Sequence, residues 1–247
     1  MSAPAVSAAT TVLHQEELLI RADRTAVMAT LARGMAHDLR GPLQTLTLMV
    51  DPHADVFGSP EGARLMGAVS TAVQHLSETI ARFSQVYAPV ETEPSPLIVE
   101  ELLTYVSDLQ RYQRGLAVTE MALRITSGLP PVRGMESHLR HVLLSLIVNA
   151  KQALTDRPDG QITLGAEQRG SEIRLSVEDN GPGMSEETLA RAFEPFFTTR
   201  EGGMGIGLTV GRWLTERMGG RLTLEPGRYG GMNAVVTLSE WRRGEGG

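Results

Sequence analysis

Apolar positions in the first part of the chain follow a helical rhythm. Met28, Leu31, Met35, Leu39, Leu43, Leu46 and Val50 recur every three or four residues, the spacing of a packing seam on one helix face. The turn formers of "DPHADVFGSPEG" (51–62) interrupt the rhythm. Leu65, Val69, Ala72, Leu76, Ile80, Phe83 and Tyr87 then resume it. Two long helices with a short connection make an antiparallel hairpin. One hairpin buries two such seams poorly, so the pattern predicts pairing with a second copy: a homodimer built around a four-helix bundle. "APVETEPSP" (Ala88–Pro96) carries three prolines and favours extended chain. The resulting division is an N-terminal extension over 1–20, a helical hairpin over 21–90, a linker over 91–96 and a second domain over 97–243.

Beyond the linker the rhythm changes. "IVEELLTYVSDLQRY", "SHLRHVLLSLIVNAKQAL" and "IGLTVGRWLTERM" keep the helical spacing. "ALRITS", "QITLGAE", "EIRLSVED", "RLTLE" and "AVVTLS" alternate as half-buried strands. Helices segregated from a mixed or antiparallel sheet predict a two-layer α/β sandwich.

Composition narrows the picture. With 247 residues, 41% of them apolar, the chain has material for one or two ordinary cores. The absence of cysteine excludes disulfides, thiolate metal sites and a cysteine nucleophile. A formal charge of -6 argues against general nucleic-acid binding, which needs a basic face. The longest apolar run, "HVLLSLIV", is far shorter than the roughly 18–20 residues of a membrane helix. No basic n-region precedes an apolar core at the N-terminus. The expectation is a cytoplasmic protein without a membrane span.

One stretch of the first helix breaks the pattern. In "GMAHDLRGPLQTL" (Gly34–Leu46), His37 lies two residues from both Met35 and Leu39, about 200° round the helix from each, and so points away from the seam. Pro42 lacks an N–H, so the carbonyl of Asp38 loses its helical partner and the helix should bend there, at about 3 kcal/mol in a solvated interior. His37 is either an incidental surface histidine or the reactive group, and nothing local decides between them.

Three stretches of the second domain carry further chemistry: "LLSLIVNAKQAL", "VEDNGPGM" and "FEPFFTTREGGMGIGL". Taken singly, each has an ordinary reading as a buried amide, a turn or a glycine loop. Together they suggest a nucleotide site. Asp179 ends a strand, where its carboxylate can accept from the exocyclic amine of adenine. Gly181 and Gly183 let backbone approach the nucleotide. "GGMGIGL" opens a helix whose free N–H groups suit phosphate. Arg200 just before it can pair with a terminal phosphate, and the amide oxygen of Asn149 suits Mg²⁺. "SEETLARAFEPFFTT" between the glycine clusters has the makings of a lid.

In this order the stretches resemble the N, G1, F and G2 boxes of the ATP-binding domain of sensor histidine kinases, a branch of the gyrase, Hsp90, histidine kinase and MutL ATPase superfamily. The first half resembles the dimerisation and histidine-phosphotransfer domain, with "AHDLRGPL" as its H box. The likeness spans roughly residues 22–240. It implies a Bergerat-fold α/β sandwich, ATP and Mg²⁺ as cofactors, and His37 as phosphoacceptor. Asp38 would orient the imidazole. Asn149 would match the Mg²⁺-binding asparagine and Asp179 the adenine-binding aspartate. Gly181, Gly183, Gly203, Gly205 and Gly207, with Leu208, would lie around the nucleotide. The implied partners are a second copy of the chain, a response-regulator receiver domain whose aspartate takes the phosphoryl group, and a separate sensory protein. The input route is left open between such a partner, the N-terminal extension and a longer parent chain.

Departures from the family pattern carry their own expectations. Ser145 replaces the usual first asparagine of the N box; it is no general base, which weakens a water-hydrolysing ATPase reading. Gly41, four residues after His37, offers no side chain to position a dephosphorylating water, so weak or absent phosphatase activity is expected. Met204 in the G2 box and the missing hydroxyl in "GGMNAVV" should lower ATP affinity modestly. His53, His75, His138 and His141 read as ordinary surface or core residues. The rival readings are a catalytically weak scaffold that docks regulators, and a serine kinase or ATPase of the same superfamily.

Overall fold

A computed structural model describes residues 15–27, 93–111, 120–200 and 203–242. The predicted hairpin seams, the dimer bundle, His37, Asp38, Gly41 and Pro42 lie outside the described residues.

Residues 15–27 are helical (α1). The chain then runs β1 (Ser95–Leu97), α2 (Val99–Arg111), β2 (Glu120–Ile125), β3 (Val132–Gly134), α3 (Glu136–Ala153), β4 (Gln161–Arg169), β5 (Glu172–Asp179), α4 (Glu186–Arg191), α5 (Gly207–Arg217), β6 (Arg221–Pro226) and β7 (Met232–Ser239). Five strands form one sheet in the order β2-β4-β5-β7-β6. Only the β2–β4 pair is parallel; β4–β5, β5–β7 and β6–β7 are antiparallel. The sheet is therefore mixed, and helices pack on it as an α/β sandwich.

Alternation sets which strand face is buried. In β5, Ile173, Leu175, Val177 and Asp179 point to the core while their neighbours are only partly covered. Period two thus carries a carboxylate into the apolar layer at the strand's last position. Leu175 and its fully buried neighbours each contribute about 1.5–3 kcal/mol by leaving water. The β4–β5 hairpin turns on Gly170 and Ser171, with Gly170 at φ 63°, a conformation that admits glycine without strain.

Helix α2 is amphipathic, burying Val99, Leu102, Leu103, Val106 and Leu109. By contrast, α3 is covered nearly all round from Leu139 to Ala150, as expected of a helix lying between a sheet and further helices. It packs against α5 on one side and touches β4 and β5 on the other.

Two features differ from the sequence expectations. Ser95 and Pro96, read as the end of the linker, belong to β1, which pairs antiparallel with β3. A bridge between Val132 and Glu240, with Trp241 N–H donating to the Pro131 carbonyl at 2.7 Å, ties this small pair to the end of β7. The second feature is α1, which docks on the sandwich. Val27 is buried, Leu19 and Ile20 pack against the core, and Asp23 and Glu16 pair with His141 of α3 and Arg217 of α5.

Candidate functional site

The site lies at one end of the sandwich, where β5 finishes and α5 begins. Asp179 is 8% exposed. Its Oδ1 accepts from the backbone N–H of Gly181 at 2.8 Å and of Met232 at 3.3 Å. Among the described residues Oδ2 carries no hydrogen bond. One oxygen is anchored and the other remains available to a donor, a geometry suited to an exocyclic amine. Burial pushes the carboxyl pKa up; the two backbone donors and the Arg200 charge oppose this.

Glycines bring the backbone close around that carboxylate. A side chain on Gly231, which stands at φ 68°, would run into the Asp179 carbonyl and Oδ1. One on Gly181 would come within 2.7 Å of Oδ1. Gly183 stands at φ 74° against the Gly231 carbonyl. The approaches at Gly181 and Gly231 leave no room for a side chain beside the Asp179 carboxylate.

The C-terminal half of α3 supplies the polar flank. Asn149 and Gln152, three residues apart, lie on one helix face. Arg200 reaches across to both: Nη1 donates to Gln152 Oε1 at 2.6 Å and Nη2 to the Asn149 main-chain carbonyl at 3.0 Å. Nη1 also stands 3.5 Å from Asn149 Oδ1, at the limit of a hydrogen bond. Burial lowers the Arg200 pKa and the Asp179 charge opposes the shift; the guanidinium remains charged at neutral pH.

Helix α5 begins at Gly207, and its N-cap Ile206 makes no side-chain cap. The N–H groups of the first turn are therefore free of a capping side chain. A methyl group on Gly207 would sit 3.1 Å from Ser145 Oγ, 3.5 Å from Asp23 Oδ1 and 3.6 Å from Asn149 Nδ2, so this glycine marks where α1, α3 and α5 meet. Gly205 at φ 65° crosses the Phe196–Phe197 backbone, where a Cβ would lie 2.5 Å from the Phe196 carbonyl carbon. Gly203 N–H closes a turn on the Arg200 carbonyl at 3.2 Å. Leu208 is half-buried against the core.

The stretch between the glycine clusters holds a short helix. Ser185 caps α4 by accepting from Thr188 N–H at 3.2 Å. Arg191 stacks 4.2 Å from the centre of the Phe197 ring, and Arg212 of α5 lies 5.0 Å from that of Phe193. Phe196 is 68% exposed at φ 66°.

Residues 134–242 match the family model described as histidine kinase-, DNA gyrase B- and HSP90-like ATPase. Along most of its length the chain is similar to curated sensor kinases. It is 28% identical over 225 residues to sporulation kinase E of Bacillus subtilis, covering 90% of this chain and 30% of that protein. With sensor histidine kinase ZraS of Escherichia coli the figures are 27% over 229 residues, 92% and 48%. With the C4-dicarboxylate transport sensor protein DctB of Pseudomonas aeruginosa they are 30% over 240 residues, 92% and 38%. Each alignment spans less than half of the curated relative. The fold is similar to the catalytic domain of histidine kinase ThkA, with TM-score 0.55 and 25% identity over 60% of this chain and 97% of that one. Residues 134–242 are thus a histidine kinase-, DNA gyrase B- and HSP90-like ATPase domain, in a chain similar to histidine kinases along most of its length.

In this domain the site residues expected from sequence fall into two groups. Asp179, Gly181 and Gly183 gather around the anchored carboxylate, while Asn149, Arg200, Gly203, Gly205, Gly207 and Leu208 lie along α3 and the start of α5. A side chain on Gly181 would lie 3.4 Å from Ala153 Cβ at the end of α3, so the two groups are neighbours. Sequence reasoning missed three participants. Gly231 and the Met232 N–H come from the entrance to β7, the "GGMN" stretch that in the sequence stands out only for a hydroxyl it lacks. Gln152 carried no signal. Among the described residues no three His, Asp or Glu side chains form a metal cage. No helix among them is long and apolar enough to cross a membrane.

Proposed function

We propose that the protein is a homodimeric histidine protein kinase. ATP occupies the site described above, His37 receives the γ-phosphoryl group, and a response-regulator aspartate takes it onward. The observation that carries this reading is the pairing within one site of Asp179, with one oxygen open to an amine, and the Arg200–Asn149 flank, a cation beside a hard oxygen.

Asp179 selects adenine by accepting from its amine. The first turn of α5 and Arg200 receive the phosphates. Asn149 Oδ1, a hard amide oxygen facing the Arg200 side of the site, would hold a Mg²⁺ ion, which would neutralise phosphate charge. The P–O bond to the β-phosphate breaks as an N–P bond forms on the His37 ring, and ADP leaves. Asp38 orients the imidazole and accepts its other N–H. Ser145 supplies no carboxylate to activate water, which favours transfer to the protein over hydrolysis. Phosphatase activity by the usual route is weak because Gly41 has no side chain.

The test is incubation with γ-labelled ATP. An acid-labile label that disappears in His37→Gln, with ATP still bound, supports the reading. An acid-stable label points to a serine kinase instead. No label in wild type, with a receiver domain still bound, points to a docking scaffold.

A further inference from the structure

Arg200 is fixed at two points. Its contact with Gln152 Oε1, at 2.6 Å, is the shorter; the Asn149 carbonyl takes the second nitrogen at 3.0 Å. A guanidinium is planar with a rigid fork of donors, so two anchors define both its plane and its direction. One anchor is backbone and survives any side-chain change. Gln152 is the only side chain among the described residues whose oxygen approaches Arg200 within 3 Å.

The chemical type of that anchor matters. Glutamine accepts a hydrogen bond without carrying charge, so Arg200 is held in place and its positive charge is not cancelled by the group that holds it. A carboxylate at 152 would hold the guanidinium as well and neutralise it. A fixed cation whose holding group is neutral is what distinguishes a ligand with one more phosphate. Gln152 is itself exposed, so it is not required for packing.

We infer that Gln152 is a positioning residue for triphosphate recognition: it aims Arg200 at the terminal phosphate and thereby sets the preference for ATP over ADP. This inference rests on the nucleotide reading above.

The test is a double-mutant cycle on the full chain, with Mg²⁺-ATP and Mg²⁺-ADP affinities measured by calorimetry for wild type, Gln152→Ala, Arg200→Ala and the double variant. Gln152→Ala should weaken ATP binding about tenfold while changing ADP binding less than about twofold, the loss of one charge-assisted contact. Arg200→Ala should do the same, and the double variant should be no worse than Arg200→Ala. Gln152→Glu should also lose the ATP preference, although it keeps the anchor, because it cancels the charge. Equal losses of ATP and ADP in Gln152→Ala, or additive losses in the double variant, would overturn the role of Gln152. A wild-type chain that binds neither nucleotide would overturn the site reading itself. Wild-type binding with additive variants removes only the positioning role.

Discussion

Asp23 and His141, 118 residues apart in sequence, meet at 2.8 Å between Oδ2 and Nε2 with both side chains almost completely buried. The pair joins α1 to α3 beside the start of α5. Removing one partner strands the other away from water. Asp23→Ala should therefore destabilise the docked helix by about 3 kcal/mol, seen as faster hydrogen exchange over 15–27. Asp23→Asn keeps an acceptor for the ring N–H and should lose less.

Next to this pair lies His138, whose Nδ1 is buried without a hydrogen-bond partner among the described residues. Burial, then the charges of Arg217, His141 and Arg24, push its pKa down from 6.5 to about 4. The folded form thus favours neutral imidazole. Its contribution to stability is constant above about pH 6.5, declines as the pH falls because the unfolded chain protonates first, and levels off below about pH 4. Unfolding midpoints measured across this range should show that decline, and His138→Leu should flatten it.

Asp179 separates binding from stability. Its folded pKa is raised, so its favourable contribution is present in acid and is lost as the pH rises through the folded value. At neutral pH, Asp179→Asn removes a buried charge, and the melting temperature should hold or rise. ATP affinity should fall roughly 10- to 150-fold, the loss of a hydrogen bond to a charged acceptor. A melting curve and a binding titration on the same sample check both halves.

Two glycines share nearly the same positive φ and should respond differently to alanine. Gly170 stands at φ 63° with nothing near its missing Cβ, whereas Gly231 at φ 68° faces the Asp179 carbonyl. Gly170→Ala should cost about 1–2 kcal/mol from conformation alone. Gly231→Ala adds a backbone collision and should cost more, and it should also disturb the Asp179 carboxylate. Denaturant midpoints compare the two directly.

Much of the sandwich was legible because β4, β5 and β7 are long enough to display alternation, and α3 and α5 to display their faces. β1 and β3 have three residues each, too few for any period to emerge, so β1 was absorbed into a proline-rich linker. Asp179 was legible because a carboxylate ending an apolar strand conflicts with its surroundings. Gln152 was not: an exposed glutamine on a helix is locally unremarkable, and its contact is with an arginine 48 residues away. The Asp23–His141 contact was hidden for the same reason, since each residue fits its own helix without the other.

Docking of α1 also shortens a leash. His37 follows Val27, which is buried against the ATP-binding domain, by ten residues. Even a fully extended backbone carries it no further than about 35 Å from that anchor. Were α1 to lift off, the nearest described anchor would become β1, 58 residues beyond His37 in sequence. The grip on Val27 therefore governs the effective concentration of His37, the proposed phosphoacceptor, around the sandwich.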